Sequence, residues 1–401
     1  MKVIKGSVTA PKSFAAAGVH SGIKKKRKDL ALIFSKVPAV AAAVFTTNKV
    51  KAAPVLVDKQ IIKKGGPVQA VVANSGSANA CTGRQGIKDA VETMKFTAAL
   101  LGIPQDNVFV ASTGKIGMPL PLDRIKYGVK LAASIMNESY ASGTDAATAI
   151  MTTDLARKEI AVETTVSGKK IRIGGIVKGS GMIHPGMATM LCFITSDAVI
   201  ERRALSSALK QSVGSSFNMI TVDGDRSTND TVLVLANGRA GNKKITSGSP
   251  GYGTFCQALE YVCLRLAKAI VKDGEGATKF IEIKIKGAAS LSDAKKTAFS
   301  IANSCLFKTA MYGSDPNWGR IVSAVGNAPV SMDPEKLKVY INGILVVKNN
   351  APVPGSREKA RELLTGKNAV IEVDMQTGKS GCVIWTSDLS TRYVRINAAY
   401  N

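Results

Sequence analysis

The stretch at residues 178–191 reads KGSGMIHPGMATML and lies near the middle of the 401-residue chain. A glycine-rich approach leads to the small residue Ala188, and Thr189 then opens an apolar run. A threonine at a chain N-terminus carries its own base, because its α-amine lies within reach of its hydroxyl. Thr189 would gain that amine if the bond after Ala188 were cut. The stretch makes Thr189 a candidate nucleophile. By composition alone, however, an Ala-Thr pair is better interpreted as the ordinary start of a strand.

Short runs rich in Val and Ile, each bounded by Gly, Pro or Asn, recur along the chain and predict strands. They cover residues 67–73, 107–111, 170–177, 190–195, 231–236, 280–285, 369–373 and 382–385. Apolar residues at helical spacing predict helices, the first of which ends at Gly102. These helices cover residues 85–101, 202–213, 255–271 and 357–364. Strands and helices alternate without a regular βαβ order, so the pattern favours a layered α/β or α+β fold over a doubly wound sheet.

The composition is that of a globular protein. Hydrophobic residues make up 45% of the chain and aromatic residues 5%, so the core must consist mainly of Val, Ile, Leu, Ala and Met. The longest Ala/Val stretch, residues 37–45, is too short to cross a bilayer and predicts a buried strand or helix. The first 22 residues lack the continuous apolar segment of a secretory signal. We therefore expect a cytoplasmic protein that does not associate with membranes.

Cysteine and histidine usage limits the metal and redox chemistry. No two cysteines form a C-x-x-C pair and most lie in apolar runs, which predicts reduced, buried thiols in a reducing compartment. The six are Cys81, Cys192, Cys256, Cys263, Cys305 and Cys382. Because His20 and His184 are the only histidines, a zinc site would need thiols from distant segments. We expect neither a metal nor a cofactor.

The formal net charge of +25 is unusually high. A basic nucleic-acid-binding protein is one interpretation, and a salt-dependent shift with DNA or RNA would favour it. Apart from the run at residues 24–28, however, the positive charges are scattered, and no zinc finger, RNP-type aromatic motif or basic helical arm accompanies them. A solvated basic surface that steers anionic substrates is the favoured interpretation, with no nucleic acid as a partner.

The common nucleotide and hydrolase signatures are absent from the sequence. Residues 378–380 read Gly-Lys-Ser, but Val373 stands where a P-loop needs its first glycine. Residues 179–181 and 274–276 each lack the third glycine of a dinucleotide fingerprint, and no G-x-S-x-G elbow is present. A Ser-His-Asp triad would have to use His20 or His184, and a lone histidine such as His184 is more typical of a loop.

Residues 221–231 hold three aspartates, Asp223, Asp225 and Asp230, within a short polar segment. The spacing suggests a Ca²⁺ loop, but the terminal bidentate glutamate is missing. We interpret the segment as a tight polar turn whose side chains cap backbone groups and shape the active site.

Several stretches resemble motifs of the ornithine acetyltransferase family, in family order and over nearly the whole chain. The 178–191 stretch resembles the self-cleavage motif of that family. Residues 112–114, Ser-Thr-Gly, resemble its oxyanion motif. The remaining matches are at residues 73–83, 151–154, 223–225, 274–278 and 315–320. Several long matches in order are far more specific than any one short pattern.

The resemblance implies a definite chemistry. Thr189 attacks the carbonyl of Ala188, and hydrolysis of the resulting ester leaves two associated chains, residues 1–188 and 189–401. The freed amine then assists the Thr189 hydroxyl in taking the acetyl group of N-acetyl-L-ornithine. L-glutamate accepts the acetyl group from the acetyl-threonine enzyme. Family members differ in whether acetyl-CoA also serves as a donor, and no motif here decides between them.

The resemblance also implies the other site residues and the assembly. The Thr113 hydroxyl and the Gly114 N–H form the oxyanion hole, and a glycine there lets the backbone approach closely. The residues that contact substrate are Thr152, Lys178, Thr189, Glu275, Asn397 and Asn401. Lys178 suits a substrate carboxylate and Glu275 a substrate ammonium. Taken alone, these two residues would be interpreted as a surface lysine and a loop carboxylate. The cleaved units would assemble as a heterotetramer of two α and two β chains.

Three positions depart from the family pattern. Lys115 follows the oxyanion Thr-Gly where an apolar residue is common, so it either tunes the oxyanion site or points to solvent. Gly186 replaces the usual Asn of the cleavage motif, which puts the cleavage rate in question. The sequence ends at Asn401 where the family has Thr or Ser. The family resemblance therefore supports the acceptor specificity less strongly than the other properties.

The expected fold is a layered α/β one that resembles the ornithine acetyltransferases and DmpA-type aminopeptidases. An N-terminal-nucleophile aminopeptidase on the same fold is an alternative enzyme class. Those enzymes use serine as the nucleophile and lack this motif set, so Thr189 argues against that alternative.

We predict that the expressed 42.0 kDa chain runs as two fragments on a denaturing gel. The downstream fragment should begin Thr-Met-Leu-Cys on N-terminal sequencing, because the cut precedes Thr189. A different first residue, or an intact chain that is nevertheless active, would contradict the mechanism.

Overall fold

The computed structural model describes residues 1–186 and 190–399. Three predicted site residues, Ala188, Thr189 and Asn401, therefore lie outside the described residues. The strands are β1 (Lys2–Ile4), β2 (Phe14–Val19), β3 (Leu30–Phe45), β4 (Val68–Ser77), β5 (Val108–Lys115), β6 (Lys158–Val166), β7 (Lys169–Lys178), β8 (Leu191–Ser196), β9 (Thr231–Ala236), β10 (Phe280–Ala288), β11 (Lys338–Ile341), β12 (Ile344–Lys348), β13 (Ala351–Pro352), β14 (Asn368–Asp374) and β15 (Ser380–Ser387). The helices are α1 (Ala53–Lys64), α2 (Gly83–Leu101), α3 (Leu122–Ile135), α4 (Tyr140–Ala149), α5 (Arg202–Ser215), α6 (Gly251–Lys272), α7 (Leu291–Ala302), α8 (Cys305–Tyr312), α9 (Trp318–Gly326), α10 (Ser356–Leu363) and α11 (Thr391–Ala398).

The described residues divide into two compact units. The first unit contains the described residues of Met1–Gly179, Gly186–Asn218 and Asp225–Ile270. The second unit contains the described residues of Ser180–Pro185, Met219–Gly224 and Val271–Asn401. Each unit has its own sheet, and the candidate site residues are divided between the two.

The first unit contains a nine-stranded mixed sheet in the order β1-β6-β7-β8-β9-β3-β4-β5, with β2 also paired to β3. The β4–β5 and β8–β9 pairs are parallel and the others antiparallel. The 16-residue strand β3 pairs with β4 through its first half and with β9 through its second half. Its register shifts between Phe34 and Ala39, where Pro38 cannot donate a ladder hydrogen bond.

Small side chains let the layers of this unit approach closely. Strand β2 reads FAAAGV and is buried along its whole length. A Cβ added to Gly18 would lie 2.0 Å from the Asp145 carbonyl oxygen, so α4 packs directly on the β2 backbone. Gly175 of β7 accepts Val262 and Leu266 of α6 in the same way. A core with few aromatic residues thus reaches dense packing through Ala and Gly contacts.

The second unit contains a six-stranded sheet in the order β13-β12-β11-β14-β10-β15. The β10–β14 pair is parallel, whereas β15 and β11 run antiparallel to their neighbours. In β10 the residues Ile281, Ile283 and Ile285 are buried and alternate with less buried ones, as expected for a sheet with one covered face. Helix α7 packs against β10 and β15 through this sheet.

The eight predicted strands and four predicted helices are confirmed, several with extended ends. Gly102 ends α2 in the left-handed conformation, with a φ of 65°. Residues 37–45 form the second half of β3, which settles the choice between strand and helix. The mixed parallel and antiparallel pairing confirms the layered α/β class. No helix in the described part of the chain has both the length and the apolar character needed to cross a bilayer.

The prediction that the cysteines are buried is confirmed for two of the six and wrong for the others, of which Cys256 and Cys382 are half-buried. Cys81 and Cys305 are exposed, because they lie in the turn before α2 and at the first residue of α8. Cys192 and Cys263 are buried, and burial raises the pKa of both thiols. All six cysteines are free thiols.

Candidate active site

Thr113 and Gly114 lie at the end of β5, opposite the end of the parallel strand β4. Thr113 is 2% exposed. Gly114 has a φ of 136°, and a Cβ there would lie 2.4 Å from the carbonyl carbon of Gly76 on β4. Both the backbone conformation and the close strand contact therefore require glycine at position 114.

A buried polar network holds this strand end in place. The Ser112 hydroxyl donates to Asn74 Oδ1 at 2.6 Å, and Asn74 Nδ2 donates to the Ser77 carbonyl at 2.9 Å. Asn229 Nδ2 donates to the carbonyls of Ala78 and Ser112 at 2.6 and 2.8 Å. These bonds satisfy carbonyls where the strands end, so the position of the Thr113–Gly114 peptide is fixed before any ligand binds.

Lys178 is the last residue of β7 and points into the first unit, where it is 2% exposed. Its Nζ donates to Thr113 Oγ1 at 3.2 Å. A threonine hydroxyl has one hydrogen and two lone pairs. Because the lysine uses a lone pair, the hydroxyl hydrogen of Thr113 is left to donate elsewhere.

Asp154 joins the segments that carry the predicted substrate residues. Its Oδ2 accepts from the Thr152 N–H at 2.9 Å, and its Oδ1 accepts from the Gly179 N–H at 2.8 Å. Oδ1 also pairs with Lys158 Nζ at 2.6 Å, and both side chains are buried. One carboxylate thus fixes the backbone beside Thr152 and immediately after Lys178.

The charge of Asp154 is stabilised by its surroundings. Burial alone would raise the pKa of this carboxyl. The positive charges of Lys178 and Lys158 lower the pKa, and so do the hydrogen bonds from Lys158 and the Gly179 N–H. The pKa of Asp154 falls to about 2 as a result. The carboxylate therefore stays ionised at neutral pH and keeps two buried lysines compatible with the interior.

The chain returns to this region after the cleavage motif. Leu191 of β8 is the antiparallel partner of Lys178. The Met190 N–H donates to the buried carboxylate of Asp230 at 3.0 Å. Position 189 itself is not described, but it is joined by a peptide bond to Met190. Leu191, the strand partner of Lys178, follows Met190 directly.

Gly186 is held from two sides at the other end of the undescribed gap. Its carbonyl accepts from the Thr47 N–H at 3.0 Å and from the Thr47 hydroxyl at 2.9 Å, and its N–H donates to Asn218 Oδ1 at 3.2 Å. Its φ is 96°, and a Cβ would lie 2.5 Å from Thr47 Oγ1. Glycine therefore suits this position, where the family pattern led us to expect Asn.

Glu275 and Asn397 lie in the second unit and contact each other. Asn397, on α11, donates from Nδ2 to Glu275 Oε2 at 2.8 Å. A Cβ at Gly181 would lie 2.4 Å from the Glu275 carboxylate, so that side chain packs against a glycine backbone. Glu275, for which the sequence alone favoured a loop carboxylate, is 8% exposed.

Two other interpretations from sequence have clear outcomes. Asp223 accepts from the Met182 and Ile183 N–H groups at 2.6 and 2.8 Å, so the backbone-capping role of this segment is confirmed for Asp223. Lys115 is exposed, which places its side chain in solvent and not in the buried strand end.

Among residues 1–186 and 190–399, no three His, Cys, Asp or Glu side chains converge as metal ligands would.

Sequence reasoning missed the central role of Asp154 and the inward position of Lys24. Lys24 belongs to the basic run at residues 24–28, of which residues 25–27 are exposed. Its Nζ donates to the Met151 carbonyl at 2.5 Å, next to Thr152. Burial lowers the pKa of Lys24 to about 8, partly opposed by Asp29 and reinforced by Lys178. The run gave no signal that its first lysine differs from the rest.

The described geometry provides an anion-stabilising strand end without histidine. Thr113 and Gly114 are adjacent residues at the end of β5, and a buried ammonium donates to the Thr113 hydroxyl. Such preorganised donors stabilise the oxyanion of a tetrahedral intermediate. In the described residues of the second unit, the Glu275–Asn397 pair offers a buried carboxylate for a cationic group.

Comparison with known proteins gives one consistent result. The family model described as "ArgJ family" matches residues 15–401. The chain is 47% identical over 403 residues to "Arginine biosynthesis bifunctional protein ArgJ" of Symbiobacterium thermophilum, covering all of both chains. It is also 47% identical over 404 residues to the protein of that name from Caldanaerobacter subterraneus subsp. tengcongensis, again covering all of both.

A solved structure is also similar. The crystal structure of ornithine acetyltransferase complexed with ornithine, from Mycobacterium tuberculosis, is 38% identical in sequence with a TM-score of 0.43. The match covers 47% of this chain and 99% of that chain.

We predict that Asp154→Asn lowers stability at pH 7 by about 2 kcal/mol, because the wild-type carboxyl has a depressed pKa in the folded state. A depressed pKa adds stability above the unfolded-state pKa of about 3.9, and that stability is lost as the pH falls through the folded-state value. The urea midpoints of variant and wild type should therefore converge between about pH 4 and pH 2.

The matched control is Asp106→Asn, which removes the exposed partner of Lys64. An exposed pair contributes about 0–1 kcal/mol, so its midpoint should stay near wild type. Equal urea midpoints for Asp154→Asn and wild type at pH 7 would contradict the central role given to Asp154.

Proposed function

This chain belongs to the ArgJ family, and on that premise we propose that it is a self-cleaving acetyltransferase of arginine biosynthesis, with N-acetyl-L-ornithine as acetyl donor and L-glutamate as acceptor. The family model matches residues 15–401, and full-length relatives are 47% identical. This activity needs a nucleophile, an oxyanion hole and groups that bind an amino-acid substrate.

Self-cleavage creates the nucleophile. The Thr189 hydroxyl attacks the Ala188 carbonyl, the C–N bond breaks, and the amide nitrogen leaves as the α-amine of Thr189. Water then hydrolyses the ester: its hydroxyl completes the Ala188 carboxylate and its proton returns to the threonine oxygen. Two chains result, residues 1–188 and 189–401. Each step passes through a tetrahedral oxyanion that needs stabilisation.

Acetyl transfer uses the same threonine. Its α-amine accepts the hydroxyl proton while Oγ attacks the acetyl carbonyl of N-acetylornithine. The oxyanion forms hydrogen bonds with the Thr113 hydroxyl and the Gly114 N–H, and ornithine leaves after its amine is protonated. The glutamate amine then attacks the acetyl ester, N-acetylglutamate forms, and the Thr189 hydroxyl is restored.

The observation that carries this proposal is the 3.2 Å bond from Lys178 Nζ to Thr113 Oγ1, next to the strand pair of Lys178 and Leu191. It supports a shared location for the oxyanion donors and the segment that begins at Thr189. The bond uses a lone pair of the hydroxyl, so the Thr113 hydrogen is available to an oxyanion. Nearby positive charge further favours that anion.

Substrate recognition is assigned by family resemblance to residues that suit an amino-acid substrate. Lys178 pairs with a substrate carboxylate and Glu275 with a substrate ammonium, since charge-assisted hydrogen bonds are the strong ones in a buried site. Thr152, whose N–H is fixed by Asp154, and Asn397, which donates to Glu275, complete the described set. Asn401 and Thr189 itself complete the proposed substrate contacts.

Three further features belong to the proposal through family resemblance. The cleaved α and β chains form a heterotetramer of two copies each, and the enzyme acts in the cytoplasm. Acetyl-CoA is a second donor to be tested, by supplying it with glutamate in place of N-acetylornithine. Formation of N-acetylglutamate under those conditions would make the enzyme an amino-acid N-acetyltransferase as well.

We predict that Thr113→Ala slows acetyl transfer by about a hundredfold or more, because one oxyanion donor is worth about 2.7–4 kcal/mol. Replacing Gly114 by Val should be equally damaging, since any Cβ there meets the Gly76 backbone. Steady-state rates with N-acetylornithine and glutamate measure the effect, and circular dichroism checks the fold. Unchanged rates in a folded Thr113→Ala variant would show that this strand end forms a turn and nothing more.

We predict that Thr189→Ala stays uncut and inactive, whereas Thr189→Ser is cut and keeps part of the activity. Alanine has no hydroxyl, so neither the acyl shift nor the acetyl-enzyme can form. Serine keeps the hydroxyl and the future α-amine but loses the methyl group that restricts χ1, so its attack geometry should be looser.

The measurement is the intact mass of each purified variant after incubation with acetyl-labelled N-acetylornithine without glutamate. The downstream fragments of wild type and Thr189→Ser should each gain one acetyl group, and glutamate should then remove it. Label on the Thr189→Ala chain would assign the nucleophile to another residue.

A further inference from the structure

Lys24 carries an ammonium group that the mechanism above does not use. It lies in the loop between β2 and β3, at the start of a basic run in which residues 25–27 are exposed. Lys24 itself is half-buried, and its Nζ donates to the carbonyls of Met151 at 2.5 Å and Lys28 at 3.2 Å. Within residues 1–186 and 190–399, these two bonds leave one of the three N–H donors of the ammonium unused.

The contact with Met151 fixes a peptide group of the candidate site. The Met151 carbonyl and the Thr152 N–H belong to one planar peptide and point in opposite directions. Lys24 holds the carbonyl, and Asp154 Oδ2 accepts from the N–H at 2.9 Å. The same carboxylate binds the N–H that follows Lys178 at 2.8 Å. Continuous hydrogen bonds and peptide groups therefore connect Lys24 with both Thr152 and Lys178, for which substrate contacts are proposed.

The ammonium of Lys24 lacks a direct anionic partner. In the described part of the chain, no carboxylate forms an ion pair with its Nζ. Asp29 binds the backbone N–H of Lys24 at 2.9 Å and also accepts from the N–H and hydroxyl of Ser21. Asp154 pairs with Lys158 at 2.6 Å. Because both carboxylates are bound by other groups, a partly desolvated ammonium is left to gain from an anion supplied by a ligand.

The electrostatic setting of Lys24 also favours an anion. Burial lowers the pKa of Lys24 to about 8. The negative charges of Asp29 and Asp154 raise that pKa, whereas the positive charges of Lys178 and Arg27 lower it further. Lys24 and Lys178 therefore repel each other, and an anion that binds to them relieves the repulsion. A carboxylate is the anion that an amino-acid substrate brings.

We propose that the Lys24 ammonium, held on the peptide between Met151 and Thr152, is a second cation for the substrate α-carboxylate, together with Lys178. The inference rests on the proposed function, because only an amino-acid substrate brings that carboxylate. A ligand without the negative charge leaves both ammonium groups without their anion, so the pair selects amino acids over the corresponding amides and amines. Lys24 is thus a specificity-determining residue.

The test compares L-ornithine and L-ornithinamide as inhibitors of acetyl transfer from N-acetylornithine to L-glutamate. The two compounds have nearly the same size, but the amide lacks the negative charge of the carboxylate. In Lys24→Met, the inhibition constant of L-ornithine should rise about tenfold or more, because a charge-assisted hydrogen bond is lost. The inhibition constant of L-ornithinamide should change by less than about threefold, because the amide never made that bond.

Lys25→Met is the matched control, since it removes the same charge from the exposed neighbour in the same basic run. Both of its inhibition constants should equal those of wild type, which separates the effect of Lys24 from a general loss of electrostatic steering. A Lys24→Met enzyme whose two constants rise equally would overturn the proposal, because a merely structural residue does not distinguish the acid from the amide. Two unchanged constants would overturn it as well.

A second measurement covers a Lys24→Met chain that does not fold. Wild-type enzyme is then treated with an acylating reagent at about pH 8, alone or with saturating L-ornithine or L-ornithinamide, and peptide mass spectrometry gives the extent of labelling at Lys24. L-ornithine should slow this labelling about fivefold or more, because a bound carboxylate raises the pKa of the ammonium, and the amide should not slow it. Equal labelling in all three samples would contradict the proposal.

The proposed function is tested separately by the wild-type enzyme. If wild type does not transfer the acetyl group from N-acetylornithine to L-glutamate, the proposed function itself is refuted. If wild type transfers the acetyl group but Lys24 does not discriminate between L-ornithine and its amide, the inference about Lys24 alone is refuted.

Discussion

The buried charge of Asp154 is the constraint on which the described part of the site depends. Lys158 and Lys178 are both almost fully buried, and an ammonium in a protein interior requires a compensating charge. Asp154 supplies it, and its pKa of about 2 shows that the positive neighbours outweigh the cost of burying the carboxylate. The same carboxylate binds the N–H groups of Thr152 and Gly179. Removing this one charge would therefore disturb the position of Lys178 and, through it, the Thr113 hydroxyl.

The candidate site residues of the first unit lie at strand ends that meet. β4 and β5 end side by side at Gly76 and Gly114, where only glycine allows the two backbones to approach. β7 ends at Lys178, and β8 resumes opposite it at Leu191. Rigid strands position groups more precisely than mobile loops, so hydrogen-bond donors at their ends are preorganised. A nucleophile that carries its own amine as base fits such a site.

Much of the fold could be predicted from the sequence because Val and Ile runs and helical periodicity are local signals. β2 was missed because FAAAGV has weak strand propensity, and its pairing with β3 is what makes it a strand. Thr113, Lys178 and Glu275 were predicted as site residues through family motifs and not through spacing. The Glu275–Asn397 bond joins residues 122 positions apart, and no local pattern contains that information.

In the proposed mechanism, the acetyl group is held covalently on the enzyme between donor and acceptor. The most direct measurement is isotope exchange, with radiolabelled ornithine and unlabelled N-acetylornithine incubated with the enzyme in the absence of glutamate. We predict that label enters N-acetylornithine, because the acetyl-enzyme can return its acetyl group to free ornithine. Exchange that occurs only when glutamate is present would contradict it.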